Sequence, residues 1–144
     1  MATVRDVLEV KGTQVHHISP EASVLDAMRV MAELNIGALV ILDKGQLSGI
    51  VSERDYARKI VLKGRTSLAT PVREIMSTSV VCARIDQSVE ECMAVMTART
   101  IRHLPVLEHK KVVGLISIGD LVKSIIADQS FTIEQLAHYI QGAH

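Results

Sequence analysis

Two pairs of polar side chains in this chain have the types and spacing to contact a nucleoside phosphate. Ser52 precedes Asp55 by three residues, and Ser117 precedes Asp120 by the same interval. A serine at a helix N-terminus can present its hydroxyl, together with the first helical N–H groups, to an anion. A carboxylate one helical turn later can accept hydrogen bonds from a vicinal diol. Ribose supplies the diol and its phosphate supplies the anion, so the spacing favours a nucleotide ligand.

The same spacing is also the pattern of a helix capping box, which has no ligand. The chain repeats it at three other places, namely Thr3 with Asp6, Ser23 with Asp26, and Ser88 with Glu91. The local pattern therefore leaves both interpretations open. The position of the Ser52 and Ser117 pairs favours a ligand, because only these two follow the last predicted strand of a unit, where a sheet edge and a helix start converge.

The elements that position these pairs are repeated along the chain. Val24 aligns with Val89 at an offset of 65, and the alignment needs no gap from residue 23 to residue 60. Upstream, residues 4–8 align with residues 72–76 at an offset of 68. The change of three predicts a longer loop in the first copy, around Lys11-Gly12-Thr13. Chance similarity does not hold register over such a length, so the sequence predicts two copies of one unit.

Each copy has the pattern of a β-α-β-β-α unit. The predicted extended runs are Val15 to Ile18, Ala38 to Leu42, Leu47 to Val51, Val80 to Ala83, Leu104 to Leu107 and Val112 to Ile116. Helices begin after Ser23 and Ser88, with apolar residues at helical spacing, and again after Ser52 and Ser117. Because one unit cannot cover both faces of its sheet, we predict an α/β (α+β) fold in which two units pack sheet to sheet with pseudo-two-fold symmetry and helices outside.

The remaining segments are a linker and a tail. Lys63 to Ala69 is polar and predicts a linker, and Thr70-Pro71 predicts the start of a helix. Thr132 predicts a separate C-terminal helix that ends at Gly142. The predicted organisation is therefore residues 1–66 for the first unit with its N-terminal helix, 67–128 for the second unit, and 129–144 for a helical tail.

Composition excludes several classes of protein. The chain has 16 basic and 16 acidic residues and few aromatic ones, which argues against nucleic-acid binding. Cys82 and Cys92 do not form a disulfide framework, so a reducing cytoplasm is expected. The N-terminus predicts no secretory signal, and the longest apolar run, Ala38 to Leu42, is too short to span a membrane.

The repeat resembles the cystathionine-β-synthase (CBS) family. Each copy ends in the pattern Gly-apolar-apolar-Ser-x-x-Asp, at Gly49 to Asp55 and at Gly114 to Asp120, and Ile101 to Val106 also matches a family signature. The resemblance covers roughly Thr3 to Ile126. It implies a pair of CBS motifs that binds AMP, ATP, NAD or S-adenosylmethionine in two clefts, regulates an unidentified partner protein and assembles as a homodimer.

The resemblance also implies which residues form each cleft. Cleft A takes Ile50, Ser52, Arg54, Asp55, Arg73, Val80, Val81, Ile101 and His103, with Arg102 adjacent. Cleft B takes Leu115, Ser117, Gly119, Asp120, Gln14, Val15, His16, Ile36, Gly37 and Ala38. Cleft A carries the arginines, so we expect it to bind phosphate more tightly, and S-adenosylmethionine is disfavoured.

Alternatives remain at this stage. Arg58, Lys59 and Lys63 are expected to form a solvated helix face. His16, His17 and His103 lack the paired spacing of a zinc site. The chain shows no nucleophile with a paired base and no phosphate-binding glycine loop, so no catalytic residue and no catalytic cofactor is predicted. An enzyme acting on the bound nucleotide and a structural dimerisation module with degenerate clefts are the alternative functions.

Overall fold

The computed structural model describes residues 2–142, which form two similar halves. The first half contains α1 (Val4–Lys11), β1 (His17–Ile18), α2 (Val24–Leu34), β2 (Ala38–Asp43), β3 (Gln46–Ser52) and α3 (Glu53–Tyr56), which continues as a π-helical turn over Ala57–Val61. The second half contains a 3-10 turn (Val72–Glu74), β4 (Ala83–Arg84), α4 (Val89–Arg99), β5 (His103–Glu108), β6 (Lys111–Ser117) and α5 (Ile118–Gly142).

The two sheets have the same topology. In each, a short first strand pairs in parallel with the middle strand, which pairs antiparallel with the last, giving the orders β1-β2-β3 and β4-β5-β6. The register shifts after Ile41 in one sheet and after Val106, 65 residues later, in the other. Strands β3 and β6 contact each other. The predicted fold class, two β-α-β-β-α units with paired sheets, is confirmed.

The first long helix of each half starts and ends in the same way. The Ser23 hydroxyl accepts a hydrogen bond from the Asp26 N–H at 3.1 Å, and Ser88 repeats this with Glu91. Each helix ends at a residue in the left-handed conformation. Its buried face contains Val24, Ala27 and Met31 in α2 and Val89, Cys92 and Met96 in α4, whereas Leu34, which the apolar spacing also predicts for this face of α2, is exposed.

The segment that leads into each half packs on the other half. The Val4 N–H donates to the Gln87 carbonyl at 2.9 Å, and the Val72 N–H donates to the Ala22 carbonyl at 2.8 Å. Val4, Val7 and Leu8 are buried in the core of the second half, whereas Val72 and Ile75 are buried in the core of the first. This reciprocal exchange follows the pseudo-two-fold relation and ties the halves into one body.

The helix predicted from Thr70-Pro71 is wrong, because only the 3-10 turn Val72–Glu74 forms there. The chain cannot continue as a helix, since the Ser77 backbone pairs with Ile50 at the edge of β3, with N–O distances of 2.9 and 3.0 Å. The tertiary pairing therefore decides the conformation of this segment.

The separate tail helix starting at Thr132 is also wrong, because α5 runs without a break from Ile118 to Gly142. The Thr132 hydroxyl donates to the Asp128 carbonyl at 2.9 Å, four residues back, instead of capping a new helix. A threonine hydroxyl in a helix interior commonly bonds to the preceding turn in this way. Within residues 2–142, no helix is both long and apolar enough to cross a membrane.

Candidate functional site

A cleft between the two halves has a volume of about 720 Å³ and is lined by residues of both. Its lining from the first half is Gly37, Ala38, Ile50, Ser52, Glu53, Arg54, Asp55, Arg58 and Lys59. Its lining from the second half is Ser77, Ser79, Val80, Val81, Arg99, Thr100, Ile101, Arg102 and His103. This is cleft A, and a volume of several hundred cubic ångströms is typical of a small-molecule site.

Ser52 and Asp55 lie at the floor of cleft A and form a complete capping box. The Ser52 N–H and hydroxyl both donate to Asp55 Oδ2, at 2.9 and 3.1 Å, and the Asp55 N–H donates to Ser52 Oγ at 3.3 Å. The capping interpretation is therefore correct locally. It does not remove the site, because both side chains also line the cleft.

Basic side chains surround this pair. The Arg54 guanidinium donates to the Thr100 carbonyl at 2.8 Å, which joins α3 to the C-terminus of α4. The Lys59 ammonium lies 3.2 Å from Asp55 Oδ1 and donates to the Ile75 carbonyl at 2.8 Å. Five basic residues of the lining (Arg54, Arg58, Lys59, Arg99 and Arg102) face two acidic ones (Glu53 and Asp55). The excess of positive charge suits an anionic ligand.

His103 lines cleft A and lies opposite Ser117 in the pairing of β5 with β6. Its imidazole is about 3.5 Å from the position that a Cβ at Gly37 would occupy. Burial lowers the pKa of His103 below 6.5, the nearby Lys11 and Arg102 charges lower it further, and Asp120 opposes them. The imidazole is therefore neutral at pH 7, and it can contribute a donor or an acceptor to a ligand rather than a positive charge.

Most of the residues predicted for cleft A are brought together, with one exception. Arg73 does not line the cavity, and its guanidinium instead pairs with Glu21 at 3.3 Å and Glu74 at 3.8 Å. The turn that replaces the predicted helix carries Arg73 outward. Gly37 and Ala38, predicted for cleft B, line cleft A instead, because Ala38 pairs with Ser52 and the Gly37 carbonyl accepts a hydrogen bond from the Glu53 N–H at 3.1 Å.

Sequence reasoning missed several residues of the site. Arg58 and Lys63 are exposed, as expected of a solvated helix face, and Lys59 is half-buried, but Arg58 and Lys59 also line cleft A. Lys59 stands four residues after Asp55, a spacing that favours an ion pair on one helix face and that could have revealed it. The other missed residues are Glu53, Ser77, Ser79, Arg99 and Thr100. Arg99 and Thr100 reach the cleft only through the packing of α4.

Cleft B does not mirror cleft A. The Ser117 N–H donates to Asp120 Oδ2 at 2.8 Å, and the Asp120 N–H donates to Ser117 Oγ at 3.2 Å. A second cavity of about 640 Å³ reaches Asp120, but α1 and α5 form its walls. Of the residues predicted for cleft B, Gln14, Val15, His16, Ile36, Leu115, Ser117 and Gly119 line neither of these two cavities.

A lysine that the sequence did not single out as functional contacts Asp120. The Lys11 ammonium lies 2.6 Å from Asp120 Oδ2 and 2.5 Å from the Leu115 carbonyl. Burial raises the pKa of Asp120, but the hydrogen bonds from Lys11 and Ser117 and the Lys11 charge outweigh burial, so the pKa lies below 3.8. Asp120 is therefore ionised and paired at neutral pH.

The cysteines are not arranged for chemistry with the clefts. Burial raises the pKa of both Cys82 and Cys92 above 9.0, so both thiols are protonated at neutral pH. Cys92 is buried in α4. Within residues 2–142, no cluster of three or more His, Cys, Asp or Glu side chains could hold a metal ion.

Comparison with known proteins agrees with this architecture. The CBS domain model matches residues 4–62 and 72–127. The mitochondrial CBS domain-containing protein CBSX3 of Arabidopsis thaliana is 35% identical over 99% of this chain and 73% of its own. The CBS domain-containing protein YhcV of Bacillus subtilis is 32% identical over 90% of each chain.

Solved structures lead to the same family. A candidate signal-transduction protein with CBS domains from Burkholderia ambifaria is 50% identical, with a TM-score of 0.86 over 89% of this chain and 96% of its own. The family model covers both halves, and each half carries the β-α-β-β-α topology described above. This chain belongs to the CBS-domain family and consists mainly of one pair of CBS motifs.

Proposed function

We propose that this CBS pair binds an adenine nucleotide in cleft A and passes the presence of that ligand to a partner protein. The observation that carries the proposal is the position of Ser52 and Asp55, at the start of α3, inside a cleft that both motifs line. A carboxylate and an excess of basic side chains meet there. Together they match the anionic and diol groups of a nucleotide.

Each part of the ligand has suitable partners in cleft A. Ile50, Val80, Val81 and Ile101 supply apolar walls for the adenine ring. Asp55 Oδ1 and Oδ2 can accept the ribose hydroxyls, and Arg54, Arg58 and Lys59 can contact phosphate oxygens. The ligand is AMP, ATP or NAD in this proposal, because S-adenosylmethionine offers no phosphate to these cations.

Signalling requires that the ligand bind two arrangements of the motifs with different affinity. Cleft A is suited to this, since the Arg54 bond to the Thr100 carbonyl crosses it and a phosphate would compete for the same guanidinium. The likeness to a candidate signal-transduction protein supports a regulatory role. The module is proposed to turn over nothing, so ATP and NAD should be recovered unchanged after prolonged incubation.

A homodimer is part of the proposal. Val61 and Ile126 occupy equivalent positions 65 residues apart in the two motifs and are 58% and 56% exposed, and the neighbouring Leu62 is 76% exposed. Apolar side chains repeated on the same face of both motifs favour association between chains. Light scattering coupled to size exclusion would give twice the chain mass, and a monomer at all concentrations would contradict this part.

The direct test is a thermal-shift panel with millimolar AMP, ADP, ATP, NAD and S-adenosylmethionine on protein shown to be free of nucleotide. A ligand present at 100 times its Kd stabilises the native state by about 2.7 kcal/mol, which raises Tm by several degrees for a chain of this size. We expect an adenine nucleotide with phosphate to do this and S-adenosylmethionine to do little.

The variant that locates the ligand is Asp55→Asn, which keeps an oxygen for the Ser52 N–H but removes the charge. Its matched control is Asp6→Asn, which changes the same capping box at Thr3 outside cleft A. The ligand-induced Tm shift should collapse in Asp55→Asn and persist in Asp6→Asn. A flat panel for the wild type would instead favour a structural dimerisation module.

A further inference from the structure

Lys11 contacts Asp120, the counterpart of the Asp55 carboxylate that is proposed to accept the ribose diol in cleft A. Its ammonium contacts Asp120 Oδ2 at 2.6 Å and the Leu115 carbonyl at 2.5 Å, and the exposed fractions of the Lys11 and Asp120 side chains are 37% and 17%. The bond joins residues 109 positions apart in the chain. It is therefore a product of the tertiary fold and not of local helix pairing.

Helix α1 holds Lys11 in this position. Val4, Val7 and Leu8 are buried in the core of the second motif, and a Cβ at Gly114 would come within 2.7 Å of Leu8 Cδ2. Lys11 lies one helical turn beyond Leu8, on the same face of α1. Because Leu8 packs closely against Gly114 of β6, Lys11 lies beside the same strand and contacts Leu115. Gly12, with φ 100°, then ends the helix.

The equivalent place in cleft A is built differently. The carbonyl of Ile50, the counterpart of Leu115, accepts a hydrogen bond from the Ser77 N–H at 2.9 Å instead of from a lysine. The offset of 68 that aligns Leu8 with Met76 aligns Lys11 with Ser79, which lines the open cleft. Asp55 has a lysine partner too, but Lys59 belongs to the same helical segment, so it flanks the carboxylate without crossing the cleft.

We propose that Lys11 is a specificity-determining residue that fills cleft B and limits this chain to one bound nucleotide, in cleft A. The inference rests on the proposed function and adds the number of nucleotides that each chain binds and the reason for that number. A tethered ammonium is present at high effective concentration. A neutral diol has to displace two charge-assisted hydrogen bonds and leaves the ammonium to be solvated again, so entry into cleft B is disfavoured.

The Lys11–Asp120 pair also contributes to the difference in charge between the two clefts. Asp55 faces the basic lining of cleft A, whereas the negative charge of Asp120 is already matched by Lys11. Gly119 and Ser124 stand where the first motif has Arg54 and Lys59, whereas Lys123, the counterpart of Arg58, remains as a cation in the cavity that reaches Asp120. Removing the Lys11 charge should expose the Asp120 carboxylate and the Leu115 carbonyl together.

The experiment counts bound ligand by equilibrium dialysis with labelled ATP and, separately, labelled AMP at millimolar concentration. We compare the wild type with Lys11→Ser, which copies the residue of cleft A, and with Lys11→Met, which keeps the helix-forming aliphatic stem. Lys111→Ser, at the far end of β6, is the control for loss of one exposed lysine. The expected result is one equivalent per chain for the wild type and the control, and two for both Lys11 variants.

A further substitution identifies the second site. Asp120→Asn in the Lys11→Ser background should return the count to one, and Asp55→Asn in that background should leave the equivalent bound in cleft B. Two equivalents in the wild type, or one equivalent in both Lys11 variants when the wild type binds one, would overturn the inference and leave the proposed function standing.

Failure of the proposed function has a separate signature. If the wild type binds no ATP or AMP but the Lys11 variants bind one equivalent, the role of Lys11 is supported and nucleotide binding in cleft A is not. No binding by any of the variants would overturn both. Circular dichroism melting of each variant confirms that the count refers to folded protein.

Discussion

At the scale of single residues, the capping box and the proposed ligand site use the same side chains. Ser52 and Asp55 complete a capping box and still line cleft A, whereas the Ser23 hydroxyl caps α2 through the Asp26 N–H and neither of these residues lines cleft A or the second cavity. The two interpretations of the Ser-x-x-Asp pattern are therefore compatible. A capping box becomes a candidate ligand site only where other residues form a cleft around it. Those residues come from distant parts of the sequence, so the local pattern does not reveal them.

The Lys11–Asp120 pair should stabilise the fold in a pH-dependent way. Asp120→Asn should lower the free energy of unfolding by about 1 kcal/mol at pH 7, the usual size for a partly exposed ion pair with a cap. Because the folded pKa lies below the ordinary 3.8, this contribution is present above 3.8 and is lost as pH falls through the folded value. Urea titrations of both proteins between pH 7 and pH 3 would show it, and a difference that grew on acidification would contradict the assignment.

His103 should make the fold sensitive to mild acid. Its pKa is lowered below 6.5 chiefly by burial, so the unfolded chain binds a proton that the folded chain excludes. The stability due to neutral His103 is complete above pH 6.5 and declines as pH falls from there through the folded pKa. His103→Gln should therefore lose less Tm than the wild type between pH 7 and pH 5. Parallel melting curves across this range would exclude His103 as the cause.

At the scale of elements, the two motifs differ most in the segment that leads into each. The first motif has the two-turn helix α1, and the second has one 3-10 turn followed by the bridge from Ser77 to Ile50. Both segments pack against a strand glycine, Gly114 for α1 and Gly49 for the turn. The close approach needs glycine at both places, but the atoms that approach are not the same.

Because the approaching atoms differ, a methyl group added at Gly49 and one added at Gly114 should lower the free energy of unfolding by different amounts. A Cβ at Gly49 would lie 2.8 Å from the Ser77 carbonyl oxygen, whereas a Cβ at Gly114 would meet only the end of the Leu8 side chain. Since a side chain can rotate and a bridged backbone cannot, Gly49→Ala should cost more, about 3 kcal/mol against about 1 kcal/mol for Gly114→Ala. Chemical denaturation of the two variants tests the ranking, and equal losses would mean that the Ser77 bridge yields easily.

At the scale of the whole molecule, the halves are interlocked. Each core contains residues from the segment preceding the other motif, so neither motif buries its own apolar surface without its partner. A ligand in cleft A would contact a body in which both motifs are already coupled. In the proposed function, this coupling is the route by which a ligand in the cleft affects the surface that the partner protein contacts.

Because the segment before each motif is buried in the core of the other motif, a core mutation in that segment should loosen the other motif. Val7→Ala should raise amide hydrogen exchange in β5, β6 and α4, and Ile75→Ala, at the equivalent position, should raise it in β2, β3 and α2. Each should destabilise by about 1 to 4 kcal/mol, since both side chains are buried. Hydrogen-exchange mass spectrometry resolves the two patterns. If amide hydrogen exchange rose only in the motif that follows the mutated segment in sequence, the packing of that segment on the other motif would be contradicted.

The sequence by itself determined the repeat, the β-α-β-β-α unit and the Ser-x-x-Asp pairs, because each depends on apolar periodicity and capping patterns within a few residues. The predicted domain boundaries at residues 66 and 128 remain a prediction. Only the tertiary structure decided that Arg73 turns away from cleft A, that Arg99 and Thr100 reach it, and that Lys11 contacts Asp120. These are contacts between segments far apart in the chain, and their formation depends on how the two halves pack.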